Sequence, residues 1–162
     1  MVIDKNFKDI KRIENGDYIL EGNLEAEGNL EIRLDDRLLV RGNILAGKSI
    51  NTKRTIIADR YIKAGCRIEA GEGIKAGEGI EAGEGIEVVW GIYAGWGIEA
   101  GEGIKAGEGI EAGWGINAGK GIKAGWGIEV GCGIEAGCRI EAGEGIKAGW
   151  GIKGGLSITA RV

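Results

Sequence analysis

Five tryptophans (Trp90, Trp96, Trp114, Trp126 and Trp150) and three cysteines (Cys66, Cys132 and Cys138) occupy one slot of a repeated six-residue unit. The slot lies between two glycine positions, and in the regular part of the chain it otherwise holds Glu or Lys, with Leu156 in the last unit. A position that accepts charge faces water, so these indoles and thiols are expected near the surface. Regularly spaced indoles can stack against sugar rings or against a partner protein. The competing expectation is that they pack down over corners that lack side chains of their own. The chain has no histidine, and the thiols form no Cys-x-x-Cys pair, so no metal site is expected. Gly-x-Gly-Ile runs resemble phosphate-binding loops, but such a loop occurs once, between a strand and a helix. A glycine pair that recurs every six residues reads as a structural corner. Columns of Lys, Glu and Asn read as a solvated face, not as a catalytic carboxylate pair. No enzyme activity and no cofactor are expected.

The elements that position these residues follow from an isoleucine ladder. Ile44, Ile50, Ile56 and every sixth residue onward to Ile158 are isoleucine, twenty in all. The unit is Ile-x-Ala-Gly-x-Gly, as in Ile74-Lys75-Ala76-Gly77-Glu78-Gly79. Side chains alternate faces along a strand, so Ile and the Ala two residues later point inward while the residue between them faces water. Glycine tolerates backbone angles that other residues resist, which suits a sharp corner. Each unit is thus one short side and one corner of a solenoid whose coils stack on copies of themselves. Three sides per coil predict a triangular coil of about 18 residues. Cys66–Gly77 and Cys138–Gly149 share the sequence CRIEAGEGIKAG, 72 residues apart, which is four such coils. About eight coils at roughly 4.8 Å each predict a body about 38 Å long.

Upstream, Tyr18, Leu20, Leu24, Ala26, Leu30, Ile32, Leu34, Leu38 and Val40 carry the alternation of strands. The six-residue phase reads back through Leu38, Ile32, Ala26 and Leu20, so residues 18–162 are expected to be one solenoid domain. Residues 1–17 are expected to be an N-terminal cap. Phe7, Ile10 and Ile13 recur every third residue after Asp4, which predicts a short capping helix from Asp4 to Glu14, ended by Asn15-Gly16.

Composition narrows the function classes. Glycine is 34 of 162 residues and proline is absent, which excludes collagen. The net charge of −4 with dispersed charges gives no footprint for nucleic acid or an anionic membrane. Residues 1–20 hold no long apolar run, so neither a signal peptide nor a membrane span is expected, and three unpaired thiols suit a cytoplasmic compartment.

The six-residue period is shared with the left-handed β-helix of hexapeptide acyltransferases and γ-class carbonic anhydrases. Here, however, Ile precedes the small residue, and the histidines those enzymes use are missing. Residues 22–65 resemble the bactofilin type instead: Gly22-Asn23-Leu24-Glu25-Ala26-Glu27-Gly28-Asn29-Leu30 has its Gly-x-Leu-x-Ala cadence. That resemblance implies a right-handed triangular solenoid and a polymer-forming scaffold. The leading expectation is therefore a rigid scaffold or spacer. Its open C-terminal coil (Ile152, Leu156, Ile158 and Val162) would pair with a second copy, as a homodimer or a filament. The alternative is a carbohydrate- or protein-binding module that uses the tryptophan strip.

Overall fold

The computed structural model describes residues 1–160, and all regular structure in them is β. Short strands, mostly of three residues, form three sheets of nine, eight and nine strands. The coil 104–121 contributes one strand to each sheet: Ile104–Ala106, Ile110–Ala112 and Ile116–Ala118. We call the three sides the Ile104, Ile110 and Ile116 faces.

Register confirms the 18-residue coil. Ile104 pairs in parallel with Ile86 on one side and Ile122 on the other. Isoleucine therefore stacks on isoleucine and alanine on alanine, and both columns are buried from Ile44 to Ala142. Val88 and Val130 fill the alanine column without leaving the core, and Thr52 in that column is buried as well.

The early phase differs from the expected one. Tyr18, Leu24 and Leu30 hold the isoleucine positions, pairing with Leu38, Ile44 and Ile50 across a coil of 20 residues. Leu20 pairs with Val40, and Val40 with Ala58, so Leu20, Ala26 and Ile32 belong to the alanine column. Two extra residues between Ile32 and Leu38 bring Leu38 into the later phase. A shift of two residues keeps the same side chains inward, so the core tolerates it.

The predicted helix Asp4–Glu14 is not formed. Strand β1 (Val2–Asp4) joins the Ile104 face in parallel with Leu30–Arg33, burying Ile3. Strand β2 (Ile10–Arg12) runs antiparallel to strand β3 (Tyr18–Leu20). Asn15-Gly16 is the turn between β2 and β3, with Gly16 at φ 96° and its N–H donating to the Ile13 carbonyl at 2.9 Å. The first coil offers unpaired strand edges whose N–H and C=O groups need partners, and an extended segment can supply them where a helix cannot.

The reason for glycine at the corners also differs from the expectation. Among the described residues, only Gly16 and Gly22 have positive φ. The first glycine of most units is closely confined, although Lys53, Asp59 and Val89 hold the same slot in three of them. A Cβ there would lie 1.8 Å (Gly143) to 2.5 Å (Gly71) from the carbonyl oxygen one coil earlier. The second glycine is less confined: a Cβ there comes no closer to its nearest atom than 3.2 Å (Gly85, Gly121), with 3.6 Å at Gly133, apart from Gly79, which Tyr61 approaches to 2.9 Å.

Candidate functional site

The corner slots form three rows along the body. One row runs Glu78, Trp96, Trp114, Cys132, Trp150, each N–H donating to the carbonyl of its predecessor at 2.7–2.9 Å. A second runs Glu72, Trp90, Glu108, Trp126, Glu144 with the same pattern at 2.8–3.2 Å. The third, Cys66, Glu84, Glu102, Lys120, Cys138, carries no tryptophan. All five indoles thus stand in two of the three rows. Their exposure, from 50% at Trp90 to 89% at Trp150, shows that they stand out from the glycine corners. Trp96 has a neighbour in Tyr61, edge to face with ring centroids 6.3 Å apart. The three thiols are free and half-exposed.

Beside each row runs a groove floored by the second glycines. The groove on the Ile116 face, about 670 Å³, is walled by Trp96 and Trp150 on one side and by Glu81, Glu99 and Asn117 on the other. Tyr61 lines it too. The groove on the Ile110 face, about 530 Å³, is walled by Trp90 and Trp126 against Tyr93, Glu111 and Glu129. The Ile104 face has a smaller groove of about 380 Å³, lined by Lys105, Lys123, Arg67, Arg139 and carboxylates but no aromatic ring.

Compared with protein-family models, curated proteins and solved structures, the chain matches none. What can be said of function therefore rests on these surfaces.

Outward residues pair across coils. Lys105 meets Glu87, Lys147 meets Glu129 and Lys153 meets Glu135, each one coil apart. A hydrogen bond to its glutamate holds the Lys147 ammonium, and likewise Lys153, above its usual titration range. Arg139 first, then Lys123, hold Glu141 below the usual carboxylate range. These pairs are exposed and each contributes little, about 0–1 kcal/mol. Like charges also adjoin, as at Glu81 and Glu99 or Glu111 and Glu129. Every shifted carboxylate moves toward the ionised form and every shifted lysine toward the ammonium, which suits salt pairing and not proton transfer at neutral pH. No helix is long and apolar enough to cross a membrane among the described residues.

The residues expected at the end of the solenoid lie on the last described coil. Ile152 is half-buried, Leu156 is 81% exposed and Ile158 is 47% exposed, whereas Ile140 one coil earlier is fully buried. Among the described residues, the strands Ile146–Ala148, Gly151–Gly154 and Ser157–Ala160 each pair on one side only. Val162 lies outside the described residues.

Sequence reasoning missed Tyr61 and Tyr93 as groove residues. The signal was available: Tyr61 holds the second-glycine position, and Tyr93 stands where other units have Lys or Glu.

Proposed function

We propose that this protein is a rigid structural module whose last coil pairs with a second copy of itself. The observation that carries the reading is the change down the isoleucine column from buried Ile140 to half-exposed Ile158. The three sheet edges around them present open N–H and C=O groups, a ready template for another strand. A second copy is the simplest occupant, because a two-fold axis lets the same edge pair with itself. The other end supports the same asymmetry: β1 and β2 cover two of the three sheets there.

In this reading the three sheets close as a triangle. The winding is right-handed, in keeping with the general preference of parallel crossovers. The Gly-x-Leu-x-Ala cadence of residues 22–32, similar to the bactofilin type, agrees with a scaffold role. The buried column of identical side chains gives the body stiffness, because close-packed interiors deform little.

Light scattering on the variant Leu156→Glu/Ile158→Glu tests the reading. The unmodified chain is expected to run as a dimer and the variant as a monomer. A variant that keeps the parent mass would refute pairing through this coil.

A further inference from the structure

Beyond self-association, we infer that the two tryptophan-walled grooves bind a neutral, linear polysaccharide lying along the solenoid axis. The inference starts from the indoles. All five stand in the two rows that border the larger grooves, four of them lining the groove walls, and the glycine-floored groove of the Ile104 face, about 380 Å³, has no aromatic ring. Indole faces stack on the apolar faces of sugar rings, and these indoles are 50–89% exposed, with Trp96 also set edge to face against Tyr61. The coil rise of about 4.8 Å is comparable to the length of one ring in an extended glycan, so successive coils meet successive rings.

The rest of each groove supplies what hydroxyl groups need. Glu81 and Glu99 on one face, and Glu111 and Glu129 on the other, are acceptors for sugar O–H donors. The floor supplies donors. The N–H groups of Gly91, Gly97, Gly109 and Gly115 donate to no acceptor among the described residues. In the early coils the equivalent N–H groups are served by side chains. That of Asn43 donates to Asn23 Oδ1 at 2.9 Å, that of Ser49 to Asn29 Oδ1 at 3.2 Å, and that of Tyr61 to Asn43 Oδ1 at 3.2 Å. That of Gly73 donates to Thr55 Oγ1 at 3.4 Å. Where the tryptophans appear, these acceptors are gone and the groove is open. Sterics do not demand this, since a Cβ at Gly109 or Gly115 would come no closer than 3.5 or 3.4 Å to a neighbour. Each groove carries more carboxylates than lysines, Glu81, Glu99 and Glu135 against Lys153 on one face and Glu108, Glu111, Glu129 and Glu144 against Lys75 on the other, which disfavours polyanions and selects a neutral glycan.

Tryptophan fluorescence read during titration with cellohexaose, xylohexaose and chitohexaose tests this. Heparin and oligolysine serve as comparison probes. At least one neutral hexasaccharide is expected to shift the emission saturably. The double variant Gly109→Thr/Gly115→Thr keeps every indole and fills both floors with a residue that position 55 already carries. It is expected to bind roughly tenfold more weakly or worse, a loss of about 1.4 kcal/mol. Gly103→Thr, in the groove without tryptophan, is expected to bind like the parent, and melting curves check that both variants remain folded. No response to any neutral hexasaccharide overturns the inference, as does a response to heparin or oligolysine alone. Unchanged binding by the folded double variant overturns it as well. These readouts do not depend on oligomer mass, so they stand apart from the test of self-association.

Discussion

A methyl group on Gly131 would lie 2.0 Å from the carbonyl oxygen of Gly113, one coil earlier. Two residues further on, a methyl group on Gly133 would meet its nearest atom, the Gly151 oxygen, at 3.6 Å. The two glycines of one corner are therefore not equivalent. Gly131→Ala is expected to destabilise the chain by about 1–3 kcal/mol, since the backbone must shift to relieve the overlap; Val89 holds the same slot, with its N–H 3.3 Å from the Ala70 carbonyl. Gly133→Ala is expected to change stability by less than about 1 kcal/mol, and to raise it if the smaller unfolded-state entropy dominates. Denaturant melts of the two variants decide it; equal losses would contradict the account of the corner.

Ile104 is 1% exposed and stacks between Ile86 and Ile122. Ile104→Ala is expected to cost about 2–5 kcal/mol, through lost burial and the cavity left behind. Ile104→Glu should cost more, because it places an unpaired carboxylate in the core. A melt of Ile104→Glu that matched the parent would show that this column does not face inward.

How much of this was legible depends on whether the sequence repeats. The isoleucine column and the 18-residue coil could be read directly, because twenty equivalent positions carry one residue type. The N-terminus could not, because Phe7, Ile10 and Ile13 are too few to separate a helical stripe from a turn and a short strand. Asn15-Gly16 is both a helix-ending and a hairpin signal, and the choice was made by the open edge of β3, a tertiary fact. The early phase was misread because Tyr18, Leu24 and Leu30 alternate with Leu20, Ala26 and Ile32, and both sets are apolar. The grooves were half legible: the tryptophan slot could be placed on its corners, but the free N–H rows needed hydrogen-bond geometry.

Asp17 is buried and receives two hydrogen bonds from Arg37, at 2.9 Å to Oδ1 and 2.8 Å to Oδ2. The bonded guanidinium holds its carboxyl below the usual carboxylate range, against the opposing effect of burial. The folded state thus prefers the carboxylate more than the unfolded chain does. The resulting stability is present above the ordinary Asp value, about pH 4, and is lost as pH falls through the lowered one. Asp17→Asn is expected to cost about 1–3 kcal/mol at pH 7. The gap between variant and parent should shrink by pH 2–3, measured as urea midpoints. A gap independent of pH would contradict the ionised pairing.

Residues 1–17 cover the edges of Tyr18–Leu20 and Leu30–Arg33. Deleting them opens a second associating end, so the truncated chain is expected to form longer assemblies in proportion to its concentration. A truncated chain of unchanged assembly size, seen by sedimentation velocity, would remove this role from the N-terminal strands.

The most direct test of the proposed scaffold is small-angle X-ray scattering of the full chain over a concentration series. Pairing through the last coil joins two bodies end to end. The maximum dimension is then expected to rise from about 38 Å toward about 76 Å while the cross-section stays constant. A length that stays at one body at every concentration, or a cross-section that thickens in place of a length that grows, would contradict end-to-end pairing.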